Sequence, residues 1–109
     1  MTLDDALRHL GYDEVDETIT RKVTSELEEA ETYLQGAVGA DIFDLMPEDP
    51  RVNILLKAYL DDLHDDRGTT SAKASNAKRD MIHSTEWQLR LELAKAREEA
   101  EGQEKNTGA

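Results

Sequence analysis

The residues best equipped for chemistry crowd into one short run: Asp61, Asp62, His64, Asp65 and Asp66. Carboxylates in this density suit a hard divalent cation. A calcium loop, however, holds its ligands on a turn with a glycine at the bend, whereas these residues continue a helical pattern. Helical spacing sets Asp61 and Asp65 on one side and Asp62 and Asp66 on the next, so either pair offers a weak ion contact at most. The plainer reading is a solvated acidic face. His9, His64 and His83 stand in no readable pattern with a serine or cysteine and read as surface or half-buried histidines. The chain has no cysteine, which removes thiolate metal sites, cysteine nucleophiles and disulfides together. It has no glycine-rich phosphate loop, nucleophile elbow or paired-histidine zinc motif. No catalytic, cofactor-binding or metal residue is assigned, and the expectation is a protein that is not an enzyme.

Charge narrows the partners. The formal charge of −12 is uneven: residues 1–66 hold 18 acids against 5 bases, and residues 67–109 hold 7 acids against 8 bases. An acidic body repels nucleic acid and anionic membrane, because phosphate affinity comes from lysine and arginine. One segment departs from this. From Arg67 to Arg79 there is no acid, and Arg67, Lys73, Lys78 and Arg79 are all basic. This small basic stretch on an acidic protein is a candidate contact point, against the alternative of a plain exposed connector. No apolar run approaches the roughly 18 to 20 residues that span a bilayer, and the N-terminus lacks a signal-like pattern, so the expectation is a soluble protein retained where it is made.

The elements that must position these residues are helical. Residues 49–67 carry Val52, Leu55, Leu56, Tyr59, Leu60 and Leu63 on a single stripe, with Asp49 as cap, Pro50 at the first helical position and Gly68 as terminator. Residues 2–10 form a short helix capped by Thr2 and ended by Gly11. Residues 16–38 form a long one, with Ile19, Val23, Leu27, Ala30, Leu34 and Ala37 on its stripe and Tyr33 at the edge, its ring free to bury and its hydroxyl to stay wet. The two long stripes cover each other if the helices pair antiparallel. Residues 39–48 are too apolar for a free linker and should fold back on the helix pair, with Phe43 as a core plug. Residues 68–77 read as a connector.

The last helix, about 76–101 with Ser75 or Asn76 as cap, differs from the others in having two apolar faces. Ile82, Leu89, Leu93, Ala96 and Ala100 form one, and Trp87, Leu91 and Ala94 lie nearly opposite. Closing a core needs only one, so the second is a surface for another copy or another protein, unless the helix is sandwiched within its own fold. The expected fold is all-α: a small bundle of about four helices, comprising a short N-terminal helix, two long antiparallel helices and a long C-terminal helix. It fills one domain over residues 1–101, and residues 102–109 form a flexible tail.

Taken in order, the DETIT helix start, the AETYL segment, the DPRV helix opening, the KAYLDDLHDDR helix and the closing EWQLRLEL helix resemble the tailed-phage head-tail connector proteins, also called adaptor or DNA-packaging connector proteins. The resemblance spans about residues 2–98, with Tyr59 and Arg67 matching an aromatic and an arginine of the family's central helix and Leu89, Leu91 and Leu93 falling in its closing helix. It implies a viral, virion-assembly protein without catalytic activity, whose copies form a ring, roughly twelve-fold when assembled, beneath the portal protein at the capsid vertex. A stopper or tail protein would attach below, and DNA would only pass through the channel. The implied location is the virion head-tail interface, and the host cytoplasm during assembly. The subunit or portal interface expected on these grounds comprises Trp87, Leu91 and Ala94, with Arg67, Lys78 and Arg79 pairing with acids of a neighbour or the portal. The alternative is an acidic helical regulatory or antitoxin-like module that binds a basic protein. The chain lacks the basic N-terminal DNA-reading element that such regulators use.

Overall fold

Three of the helices begin where the sequence supplies a side-chain acceptor for their free amides. In the computed structural model, which describes residues 1–64 and 72–107, Thr2 and Asp5 cap each other reciprocally at the head of α1 (Leu3–His9). Asp16 accepts from the Ile19 amide at 2.8 Å to open α2 (Glu17–Val38). A single turn, α3 (Ile42–Leu45), follows. Asp49 accepts from the Arg51 amide at 2.9 Å where α4 (Pro50–His64) starts, as its place before Pro50 predicts. The last element is α5 (Ala72–Thr107), whose 36 residues make a rod about 54 Å long. The described residues contain no strand, and the fold is an all-α small bundle.

Side-chain pairings set the topology. Glu26 meets His64 and Tyr33 meets Tyr59, so α2 and α4 run antiparallel. Tyr59 meets Glu86 and Asp61 meets Lys78, so α4 and α5 do too. Helices α2 and α5 therefore run the same way, and their C-terminal reaches are tied where Arg90 reaches the Ala37 carbonyl and Arg97 reaches Asp41. The core fills the space between these three rods, with Val23 and Leu34 from α2, Leu55, Leu56 and Leu60 from α4, and Leu89 and Leu93 from α5. The short α1 adds Ala6 and Leu7, and Ile42 of α3 closes one end. Ile42 thus takes the buried plug position and Phe43 packs partly against it, while Leu63, at the end of the α4 stripe, stays exposed.

Two boundaries differ from expectation. Helix α5 starts at Ala72 instead of about residue 76, so Ser75 and Asn76 lie inside it. Ala72, Lys73, Ala74 and Ala77 are good helix formers, and small polar neighbours do not outweigh them. Its backbone also continues through Gly102 to Thr107, since one glycine costs a helix only about 1 kcal/mol. Asp65, Asp66, Arg67 and Gly68 lie outside the described residues. Among the described residues no helix is long and apolar enough to cross a membrane.

The crossing of α2 into α3 depends on one glycine. Gly39, at φ 156°, lets the backbone pass so close to α5 that a Cβ there would sit 2.5 Å from both Leu93 Cδ2 and Arg97 Nη2. The same turn carries the forked contact in which Arg97 Nε and Nη2 donate to the two Asp41 carboxylate oxygens at 2.8 and 2.6 Å. Substituting Gly39→Ala should therefore destabilise the fold by roughly 1–3 kcal/mol, read as a lowered midpoint in urea unfolding monitored by helical circular dichroism.

Asp41 and Asp49 are held below the usual carboxylate range by hydrogen bonds from Arg97 and Arg51, and Asp5 by its bonds with Thr2. A carboxyl with a depressed folded pKa stabilises above its unfolded value, about 4, and loses that contribution as pH falls through the lower folded value. Thermal stability should accordingly drop on acidification below about pH 4, and Asp41→Asn with Asp49→Asn should flatten that drop in melts followed from pH 6 to pH 2.

Candidate functional site

The second apolar face of α5 stands free of the core. Leu89 and Leu93 are fully buried against α2 and α4, whereas Trp87 is 59% exposed, Leu91 46% exposed, and Ala94 exposed beside them. At 100° per residue these three lie within about 60° of one another around the axis, so they form one ridge. An exposed tryptophan is among the side chains most often central to a protein–protein contact. A shallow depression beside the ridge runs between Leu91 and Ala94 of α5 and Arg51 of α4.

The basic residues expected at the interface sit elsewhere. Lys78 lies nine residues before Trp87 and turns inward on its own chain, its Nζ 3.8 Å from Asp61 and 3.6 Å from Asp62. These half-exposed contacts pair Lys78 with acids of its own chain and offset part of their charge. Arg79, one residue on, points to a different side and lines a groove of about 380 Å³ between α2, α4 and α5. Arg67 lies outside the described residues. The structure thus gathers Trp87, Leu91 and Ala94 into one surface and separates Lys78 and Arg79 from it.

The groove was not foreseen. It is lined by Tyr33, Tyr59, Leu63 and Ile82 together with Glu29, Asp62, Arg79 and His83. Tyr33 was expected to bury its ring; it is instead 62% exposed, its ring set edge-on against Tyr59 at 4.8 Å between centroids.

Two buried acids were also missed. Glu86, only 9% exposed, accepts from the Tyr59 hydroxyl at 2.5 Å, and burial together with this carboxylate pushes the Tyr59 phenol up. Glu26, 8% exposed, holds His64, whose Nδ1 lies 3.0 Å from one carboxylate oxygen and 3.1 Å from the other. A carboxylate only accepts, so Nδ1 carries the hydrogen, and Nε2 meets the Tyr12 hydroxyl at 3.0 Å. Both acids had a readable signal. Glu86 occupies the gap in the Ile82–Leu89–Leu93 stripe, and Glu26 stands beside Val23, Leu27 and Ala30, positions where a carboxylate needs a partner.

The histidine–carboxylate pairs are made within the chain. Both His64 nitrogens have partners, and His9 Nε2 pairs with Asp61 at 2.8 Å. Asp61 and Asp62 are in turn shared with His9 and Lys78. Among the described residues no group of three or more histidines and carboxylates is arranged to hold a metal ion. The pairs act as ties that fasten α1 and the following Tyr12 segment to α2 and α4.

Comparison of the chain with known protein families, characterised proteins and solved structures finds no match.

The Tyr59–Glu86 bond gives a direct test of the buried polar pair. Tyr59→Phe and Glu86→Leu should each destabilise, Tyr59→Phe by about 1–2 kcal/mol, because each leaves or crowds a buried partner. The double substitution should recover most of that loss, and a double-mutant cycle in urea should show coupling of about 1 kcal/mol or more.

Proposed function

We propose that this protein is a structural component of a phage virion, a ring-forming adaptor between the portal vertex of the capsid and the tail or stopper. The observation that carries the reading is the ridge of Trp87, Leu91 and Ala94, an apolar face on the longest element that the protein's own core leaves uncovered. An exposed indole and leucine on a rod of this length favour repeated lateral contact over a single small ligand. The ordered resemblance of the DETIT, DPRV and EWQLRLEL segments to head-tail connector proteins supplies the context in which such contact occurs.

Charge supports the same reading. A channel through which DNA slides works best with acidic or neutral walls, because a basic wall would retain phosphates and stall passage. The acidic first two-thirds of the chain suits that role, and Lys78, turned onto Asp61 and Asp62, adds no free cation there. In this reading the protein has no catalytic duty, works without a cofactor, and partners the portal protein, the stopper or tail protein and further copies of itself.

Negative-stain imaging of the purified protein, alone and with its neighbouring portal product, tests the proposal. Rings of roughly twelve copies seated on the portal are expected. The Trp87→Glu, Leu91→Glu double variant should keep its helical circular dichroism and melting temperature, since both residues are exposed, while losing the rings. Unchanged assembly by that variant, or a portal left bare by the wild type, would overturn it.

A further inference from the structure

One hydrogen-bonded chain in the molecule joins a hydroxyl, an imidazole and a carboxylate in that order. The Tyr12 hydroxyl meets His64 Nε2 at 3.0 Å, and His64 Nδ1 lies 3.0 and 3.1 Å from the two Glu26 carboxylate oxygens. We propose that this arrangement makes the Tyr12 hydroxyl an activated nucleophile, a modification site that accepts an acyl group from a neutral activated ester. The proposal does not depend on the assembly reading above.

Three observations carry it. The first is the tautomer: a carboxylate only accepts, so Glu26 keeps the hydrogen on Nδ1 and leaves the Nε2 lone pair facing the phenol. A hydroxyl within reach of a base that a third group orients is the arrangement that activates hydroxyl nucleophiles. The second is burial. Glu26 is only 8% exposed, so the imidazolium formed when His64 takes the proton faces a carboxylate screened from water. His64 is thus the base, and Glu26 is a positioning residue. The third is the contrast with the other two tyrosines. The Tyr59 hydroxyl is buried and donates straight to Glu86, which pushes its phenol up, and Tyr33 is 62% exposed with its ring against Tyr59. Tyr12 is half-buried between the exposed Gly11 and Asp13, open to a small reagent on that side.

Charge selects the donor. Asp13, Glu14, Asp16 and Glu17 follow Tyr12, and all four are exposed. A phosphoryl or sulfuryl donor would bring negative charge into that field, whereas a neutral ester meets no repulsion. In the step, Tyr12 Oη bonds to the acyl carbon as its proton passes to His64 Nε2. The bond from the acyl carbon to the leaving oxygen breaks, and its electron pair departs on that oxygen. His64 then returns the proton to the leaving group or to water, and the product is a tyrosyl ester. The groups facing His64 are Glu26 from α2 and Tyr12 from the segment after α1. On α4 itself Asp61, one turn back, is engaged by His9 of α1 and Lys78 of α5.

The test treats the intact protein with p-nitrophenyl acetate and follows ester formation at each tyrosine by peptide mass spectrometry. Exposure alone ranks Tyr33 first. The proposal expects Tyr12 to react first, at least about ten-fold faster than Tyr33, somewhat below the roughly 10²–10⁴ that a positioned base supplies in enzymes. As pH is raised from about 5 to 9, the Tyr12 rate should level off once the imidazole has lost its proton, while the Tyr33 rate keeps rising. His64→Gln should bring Tyr12 down by about ten-fold or more and leave Tyr33 unchanged, with helical circular dichroism checking the fold. Glu26→Gln should lower the Tyr12 plateau, and Glu26→Asp should restore part of it. Tyr33 acylated first, a Tyr12 rate that rises without levelling, or the acetyl group found on His64 instead of Tyr12 would each overturn the proposal. All three are read on the wild type, so they decide the matter even where a variant fails to fold.

Discussion

Helix α4 has to be covered from two sides, and the rest of the molecule follows from that. Leu55, Leu56 and Leu60 are all but fully buried, and no single helix can hide a stripe that wide. Helix α2 takes one flank and α5 the other, each antiparallel to α4, and α1 and α3 fill the remaining ends. A helix that covers a partner spends only one of its own faces. On α2 the opposite face is polar and meets water without penalty. On α5 it carries Trp87 and Leu91, and nothing in the three-helix arrangement reaches round to cover them.

The polar interior serves the same geometry. Apolar stripes tolerate sliding and rotation, whereas a buried carboxylate is satisfied at one register only. Glu86 finds the Tyr59 hydroxyl, Glu26 finds His64, and His64 finds Tyr12, so α2, α4, α5 and the segment after α1 are indexed against one another. No buried side-chain polar atom among the described residues lacks a partner. The arginines at the other end do comparable work at the surface. Arg90 donates to the Ala37 carbonyl near the C-terminus of α2, and Arg97 forks onto Asp41, fastening the turn where Gly39 lets α2 and α5 come close. A bundle indexed in this way presents its exposed ridge and its groove at set positions.

Of the acidic run at the end of α4, the two described acids have partners within the chain: Asp61 meets His9 and Lys78, and Asp62 meets Lys78. The remaining acids give the surface its negative sign.

How much was legible in the sequence divides along the range of the forces involved. Caps at Thr2, Asp16 and Asp49, the stripes of α2 and α4, the all-α class and the two-faced character of α5 depend on neighbours within a turn or two, and local spacing determines them. Periodicity gave α5 two apolar faces and left open a helix sandwiched within its own fold; the packing of α5 decided that Trp87 and Leu91 stay exposed. Only tertiary structure decided which acid meets which base. Lys78 looked free until α4 turned Asp61 and Asp62 toward it, Tyr33 looked half-buried until the groove opened beside it, and Glu26 and Glu86 acquired roles when helices far apart in sequence brought His64 and Tyr59 within hydrogen-bonding distance. Periodicity assigns a residue to a face; what that face meets depends on packing between segments dozens of residues apart, and no local pattern carries that information.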